Sequence, residues 1–400
     1  MIAAKRTGPQ GTERGESALI VFAGGGTGGH LYPAIAIAEA LRVLQPPIRF
    51  RFLGTQRPID RRILGGDYDL IQQPVVALRA APWRWPRILL GFRRASRLCR
   101  TTFERDRPDV VIGTGGLGSV PAVRQAVRMG IPTALLNPDA SPGRANRHLG
   151  RSVDLIFAQW EETLDHFPSS AKVIVCGCAV REAFASATRD QGIARFGLDG
   201  QRKTLLVTGA SQGAQTINRA VLANLDLFES LPGWQVLHLT GEENFEAVRQ
   251  AYEGRALRVA VVHFTDRMAE ALAAADLVVA RAGASSLAEF TVMGRPSILM
   301  PYPFHRDRHQ FANARCLVRA SAARILVDKI DPTINGPALR ELLEPLLTDD
   351  ARRTAMGAAA RAVGRQDAAQ TIARKILDLI DAPRWVRRRE SLEASLSGAR

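Results

Sequence analysis

The stretch VFAGGGTGGHLYPAIAIAEAL, residues 21–41, sets a glycine-rich loop between an apolar run and an apolar helix-forming run. Its first residues complete ALIVFAG (18–24), a run rich in β-branched and aromatic residues that reads as a buried strand. Its last residues are mostly alanine and isoleucine and read as an apolar-periodic helix. Strand, glycine turn and helix in that order open a βαβ unit. The turn then aims backbone N–H groups and the positive end of a helix at whatever anion binds there.

The same rhythm runs through the chain. IRFRFLG, DVVIGTG, TALLN, LIFAQ and KVIVCG join ALIVFAG as strands of the first half. TLLVTGA, WQVLHLTG, VAVVHFT, LVVARAG, PSILMPY and ARILVD repeat the pattern in the second. Near-continuous apolar strands separated by helices predict parallel sheets buried on both faces. The expected class is α/β, with two Rossmann-like doubly wound domains facing across a cleft and a boundary near Arg181. Glycine turns return at predicted strand ends in GTGGLGS (113–119), GASQGAQ (209–215) and RAGASSLAE (281–289). Four such turns shared between two halves favour a phosphorylated ligand.

A dinucleotide is the first candidate, because Gly24-x-Gly26-x-x-Gly29 has the G-x-G-x-x-G spacing. That site needs an acidic residue at the end of the second strand to hold a ribose hydroxyl. IRFRFLGTQR (48–57) carries none, and Arg51 leaves only a weak fit to NADP. The extra glycines and His30 have no place in the fingerprint, so the dinucleotide reading is set aside.

The 400 residues carry a net charge of +15, which calls for an acidic partner: nucleic acid, anionic membrane or a phosphorylated substrate. No nucleic-acid-binding signature accompanies the charge, so no nucleic-acid partner is expected. Cys99, Cys176, Cys178 and Cys316 are too few and too scattered for a disulfide framework or a zinc site. No run approaches the roughly 18 apolar residues of a membrane span, and the N-terminus lacks a signal-peptide pattern. A cytoplasmic chain that meets a membrane only at its surface is expected. The segment RAAPWRWPRILLGFRRASRLCR (79–100) has seven arginines and no acid. Trp83, Trp85, Ile88, Leu89 and Phe92 are expected to enter the interface, with Arg93 and Arg94 at anionic headgroups. The alternative is an ordinary amphipathic core helix with a basic outer face.

Taken together, five stretches resemble the MurG family of glycosyltransferases, family 28 of the GT-B architecture. They are GGTGGHLYPAIAIAEAL, RPDVVIGTGGLGSVPA, GASQGAQTINRAV, FTDRMAEALAAADLVVARAGASSLAE and FHRDRHQFANA, in family order over residues 19–380. The resemblance implies an inverting transfer of GlcNAc from UDP-GlcNAc to the C4 hydroxyl of MurNAc in undecaprenyl-pyrophosphoryl-MurNAc-pentapeptide. The product is lipid II, made for peptidoglycan at the cytoplasmic face of the inner membrane. It implies no metal or other cofactor. Beyond UDP-GlcNAc, the lipid-linked acceptor and the anionic membrane surface, it names other cell-wall synthesis or division proteins as partners.

Carried over position by position, the resemblance makes His30 the general base, a role suited to a group that titrates near neutral pH. Thr27, Gly28 and Gly29 lie beside the donor sugar and diphosphate; Arg181 and Ser211 meet the phosphates. Thr265 offers its backbone to uracil. Ala284, Ser285, Ser286, Leu287 and Ala288 line the nucleotide pocket with backbone N–H groups. Glu289 takes both ribose hydroxyls, as a carboxylate suits a diol. Gln310 reads the sugar hydroxyls. Asp139 stands where the family has asparagine in its HEQN element, here LNPD (136–139), and ionised aspartate offers no donor. GCAVR (177–181) lacks the family's Asn-Pro, and His309 replaces a glutamine. The implied domains are 17–181 for acceptor and membrane and 182–365 for the donor. A helix at 366–381 returns to the first domain, and residues 1–16 and 382–400 are expected as flexible tails. Two alternatives stay open: a GlcNAc transferase with another lipid or sugar acceptor, and a non-catalytic UDP-sugar-binding protein.

Overall fold

The computed structural model describes residues 17–45, 47–75, 85–209, 213–304 and 307–382, apart from the side chains of Trp85 and Pro86. The expected tails, Trp83 and Ser211 lie outside the described residues, except that Ala382 is described.

The first sheet has seven strands: β1 (Ala18–Gly24), β2 (Ile48–Gly54), β3 (Asp69–Gln72), β4 (Val110–Gly115), β5 (Thr133–Asn137), β6 (Leu155–Ala158) and β7 (Val173–Val175). Their order is β3-β2-β1-β4-β5-β6-β7, and every pairing is parallel. The second sheet has β8 (Lys203–Thr208), β9 (Trp234–Leu239), β10 (Val259–Val262), β11 (Leu277–Ala280), β12 (Ser297–Leu299) and β13 (Ala323–Ile325). Its order is β10-β9-β8-β11-β12-β13, again all parallel. Both orders reverse beside their first strand, and such a switch point opens a crevice at the strands' carboxyl ends.

Each expected strand is present, and β3 is an addition. DLIQ shows no apolar run because an edge strand is only half covered. Its first residue is an aspartate that pairs with Arg51 of β2 at 2.6 Å.

Alternate residues of the inner strands serve two cores. Leu19, Val21, Val111, Leu135 and Ile156 share one cluster, while Phe22 stacks on Phe52 on the opposite face at 5.2 Å. Leu205, Val207, Val236, Val279 and Ile298 anchor the core of the second sheet. Each fully buried side chain of this size contributes about 1.5–3 kcal/mol, which is why these strands read as unbroken apolar runs. Helix α1 (Gly28–Leu44) buries Leu31, Ala34, Ile35, Ala36, Ile37, Ala38 and Leu41. It packs against the sheet and against the helix Ala368–Asp381, so it has little polar face to show.

The chain divides into two compact units. One takes the chain up to Pro138, Pro142–Cys176 and the chain from Asp367 on; the other takes Asp139–Ser141 and Gly177–Gln366. The division after Cys176 falls five residues ahead of Arg181, so Arg181 belongs with the second unit. All four cysteines are buried, and none is in a disulfide. No helix among the described residues is long and apolar enough to cross a membrane.

Candidate active site

In the first unit the switch point joins two glycine loops. β1 runs into Gly24–Gly26 and β4 into Gly115–Gly116, and the ladder between the strands shifts register at Ala23/Gly24. His30 stands in the first turn of α1, half-buried. Its Nδ1 lies 2.9 Å from the carbonyl oxygen of Gly25. A carbonyl can only accept, so Nδ1 carries the hydrogen and Nε2 of the neutral ring keeps its lone pair. The second loop packs flush on the imidazole: a Cβ on Gly115 would sit 3.1 Å from Nε2, and one on Gly116 3.2 Å from Cε1. Thr27, exposed and extended, precedes Gly28 and Gly29 at the positive end of α1.

A buried carboxylate lies behind this loop. Asp60, fully buried in α2 (Pro58–Leu64), accepts from Gly26 N–H through Oδ1 at 2.7 Å. Its Oδ2 accepts from the Thr55 N–H at 2.6 Å and the Thr55 hydroxyl at 2.9 Å. Sequence reasoning missed it. The one available signal is an acid in the first turn of a short helix, which also suits a surface residue.

In the second unit, Gly283 precedes the helix Ala284–Val292, which follows β11. Glu289 sits half-buried on this helix. Burial pushes its carboxyl up to about 7, and the positive charge of Arg181 pulls it partway back. Arg181 therefore lies within electrostatic reach of Glu289, and its guanidinium also rests 5.3 Å from the Phe184 ring. The expected row of backbone donors is shorter than predicted. Leu287 N–H donates to the Gly283 carbonyl at 3.0 Å, and Leu287 and Ala288 are buried. The helix ladder consumes their N–H groups, which takes Leu287 and Ala288 out of that row.

Two side chains one turn apart on the helix His309–Arg319 clamp the peptide groups of Ala282. Gln310 Oε1 accepts from Ala282 N–H at 3.3 Å and from Tyr302 N–H at 2.9 Å. That use of its oxygen leaves the amide N–H groups as the part of Gln310 suited to a sugar. Asn313 Nδ2 donates to the Ala282 carbonyl at 3.3 Å and to Asp139 Oδ1 at 2.8 Å. Asp139, which the resemblance puts among the UDP-GlcNAc-binding residues, thus accepts from a protein amide through Oδ1. Thr265 has its hydroxyl engaged with Arg267 N–H at 3.0 Å, consistent with using only its main chain elsewhere.

Beneath Ala282, Arg281 bonds Asp328 Oδ2 at 2.9 Å and Thr216 Oγ1 at 2.8 Å, with both charged groups nearly buried. Burial raises the Asp328 carboxyl, but the Thr216 hydroxyl, Arg281, the Ile330 N–H and Asn335 outweigh it and hold it below its usual range. This network ties the loops after β11 and β13 to the helix Gln215–Leu222. Sequence reasoning missed it too. Among the described residues no cluster of three or more His, Cys, Asp or Glu has metal-holding geometry.

Of the basic segment, α3 (Trp85–Arg105) is a single helix. Leu89 and Leu90 are 54% and 48% exposed, and Arg93 and Arg94 are exposed one turn further on. Phe92 is turned inward, packed against the first core, and Ile88 is half-buried. Helical periodicity places Phe92 on the face of Ala95 and Cys99, which are fully buried, so it is not an inserting residue.

Two doubly wound units, one presenting an imidazole at its switch point and the other a desolvated carboxylate behind a helix N-terminus, define a nucleotide-sugar glycosyltransferase. Residues 20–158 match the glycosyltransferase family 28 N-terminal domain and residues 204–372 the glycosyltransferase family 28 C-terminal domain. A relative from Halothermothrix orenii is 36% identical over 373 residues, covering 90% of this chain and 98% of the relative. One from Bacillus subtilis is 33% identical over 354 residues, covering 88% and 96%. Both are named UDP-N-acetylglucosamine–N-acetylmuramyl-(pentapeptide) pyrophosphoryl-undecaprenol N-acetylglucosamine transferase. The crystal structure of Acinetobacter baumannii MurG shares the fold with a TM-score of 0.70 at 24% identity, covering 90% of this chain and 99% of that one. A Staphylococcus aureus MnaA–UDP structure does so with 0.66 at 14%, covering 92% and 98%. The chain belongs to the MurG branch of glycosyltransferase family 28.

Proposed function

We propose that this chain transfers GlcNAc from UDP-GlcNAc to the C4 hydroxyl of MurNAc in undecaprenyl-pyrophosphoryl-MurNAc-pentapeptide, with inversion. The observation that carries the reading is the His30 ring, pinned through Nδ1 to Gly25 so that Nε2 keeps its lone pair. Nε2 takes the hydroxyl proton as the C4 oxygen attacks the anomeric carbon. The bond from that carbon to the diphosphate breaks, and its electron pair leaves on UDP. Attack opposite the leaving group inverts the anomeric centre. Arg181, Ser211 and the N–H groups of Ala284, Ser285 and Ser286 meet the diphosphate charge without a metal ion. Glu289 holds the ribose diol, Thr265 offers main-chain groups to uracil, and the Gln310 amide meets the sugar. Thr27, Gly28 and Gly29 border the transferred sugar.

A lipid-linked acceptor also demands a membrane. The exposed Leu89 and Leu90 beside Arg93 and Arg94 support peripheral docking through α3 on the anionic cytoplasmic leaflet. Incubation with UDP-[14C]GlcNAc and a panel of lipid acceptors tests the reaction. Label is expected in the MurNAc-pentapeptide lipid. Label only in another acceptor would overturn the acceptor assignment. No label anywhere would leave a UDP-sugar binder.

A further inference from the structure

The peptide unit between Gly25 and Gly26 is held at both ends. Its C=O accepts from His30 Nδ1 at 2.9 Å, and its N–H donates to Asp60 Oδ1 at 2.7 Å. Asp60 has no exposed surface, so water does not screen its charge. The loop is shaped around this carboxylate. Gly25 and Gly26 take φ of +137° and +81°, and a Cβ on Gly25 would fall 2.3 Å from Asp60 Oδ2. Thr55 fixes the far oxygen with two hydrogen bonds. The nearby charged group is Arg57, whose Nη1 donates to the Gly26 carbonyl at 2.9 Å, while the β4 loop faces the imidazole with bare glycine backbone.

We propose that Asp60 is the positioning residue of the His30 base and acts on it through the Gly25–Gly26 peptide. The inference rests on the reading of His30 as base given above. A carboxylate that draws on an amide N–H shifts electron density to the amide oxygen, because hydrogen bonds in a chain polarise one another. The Gly25 oxygen becomes a stronger acceptor for Nδ1–H. That fixes the tautomer in which Nε2 is unprotonated, and it stabilises the imidazolium formed when Nε2 takes the acceptor's proton. Asp60 acts only through the peptide and never touches substrate. The arrangement does the work of a carboxylate–histidine pair with one peptide bond interposed.

The test compares wild type, Asp60→Asn and His30→Ala by kcat against pH, UDP affinity and melting temperature. Asp60→Asn keeps the shape and removes the charge. It is expected to lower kcat by about 10- to 100-fold, the scale seen when a metal-bound histidine loses the group that orients it, and to move the acid limb of the profile to lower pH. UDP affinity should fall far less than kcat, because Arg181, Glu289 and the first-turn N–H groups of the helix Ala284–Val292 lie on other elements than the Asp60 loop. If Asp60→Asn does not fold, Thr55→Val removes the hydroxyl bond to Oδ2, together with a 3.3 Å bond from Arg57 N–H, and leaves the carboxylate less compensated. The acid limb should then move to higher pH. In wild type, a 15N-histidine spectrum should show neutral His30 as the Nδ1–H tautomer.

Wild-type turnover in His30→Ala would overturn the base assignment and this inference with it. Loss of turnover in His30→Ala, with an unmoved acid limb in the Asp60 or Thr55 variant, would overturn the relay alone and leave Asp60 a loop anchor. An Nε2–H tautomer would overturn it as well.

Discussion

Asn313 and Asp139, 174 residues apart in the chain, share a 2.8 Å hydrogen bond in which the amide donates to the carboxylate. The same Asn313 accepts from Ala140 N–H at 2.8 Å and donates to the Ala282 carbonyl at 3.3 Å. The aspartate that departs from the family pattern is thus matched by a donor, and the pair holds the turn ahead of the helix Ala284–Val292.

Asn313→Ala should cost about 1–3 kcal/mol in urea unfolding, since it strips the partner from a carboxylate and from a nearly buried turn. Asp139→Asn retains an acceptor oxygen and should cost under about 1 kcal/mol. Equal effects from the two variants would show that the bond does not organise this turn.

Glu289→Ala should weaken UDP binding by about 1.5–3 kcal/mol, the scale of hydrogen bonds to a charged group. Calorimetric titration reads this directly, and unchanged affinity in a folded variant would remove the ribose role.

The same carboxyl makes donor binding depend on pH. With its folded pKa raised from 4.5 to about 7, Glu289 is largely protonated at pH 6 and ionised at pH 8. Ribose hydroxyls donate to the ionised form, so UDP should bind more tightly at pH 8 and release a proton near pH 7. For the ligand-free protein the sign is opposite: the raised pKa contributes stability that is present below about pH 4.5 and lost as pH rises through 7. Glu289→Gln should flatten both trends. Heats of UDP binding in buffers of different ionisation enthalpy, and thermal melts from pH 5 to 8, measure them.

His30→Ala should leave UDP affinity nearly intact while lowering turnover by about 10²–10⁴, the span of a general base. Parallel losses of affinity and rate would point to a folding role for His30.

Binding to vesicles should rise with anionic lipid and fall with salt, as headgroup charge is screened over about 8–10 Å. Arg93→Glu with Arg94→Glu should remove mainly the salt-sensitive part. Leu89→Ser with Leu90→Ser should weaken binding at high salt as well. Phe92→Ala should instead lower stability, because that ring packs on the core. Flotation of the first two variants at wild-type levels would mean that α3 does not meet lipid.

The sequence alone determined the architecture and the family. Apolar strand runs, βα spacing and glycine turns are local and periodic, so burial on both sheet faces writes them into neighbouring residues. His30 and Glu289 could be singled out for a related reason: each sits inside a motif a few residues long. Only the tertiary structure decided what surrounds them. Asp60 reaches Gly26 from 34 residues away, Asn313 meets Asp139 across 174, and Arg281 meets Asp328 across 47. Such pairs leave no period in the chain, because folding, rather than spacing, brings a buried charge to its partner. Helix geometry likewise withdrew Leu287 and Ala288 from the donor set and turned Phe92 inward, since hydrogen-bond ladders and helix faces are properties of the folded backbone. The edge strand β3 escaped for the converse reason: half covered, it never needed the apolar run by which a strand is recognised.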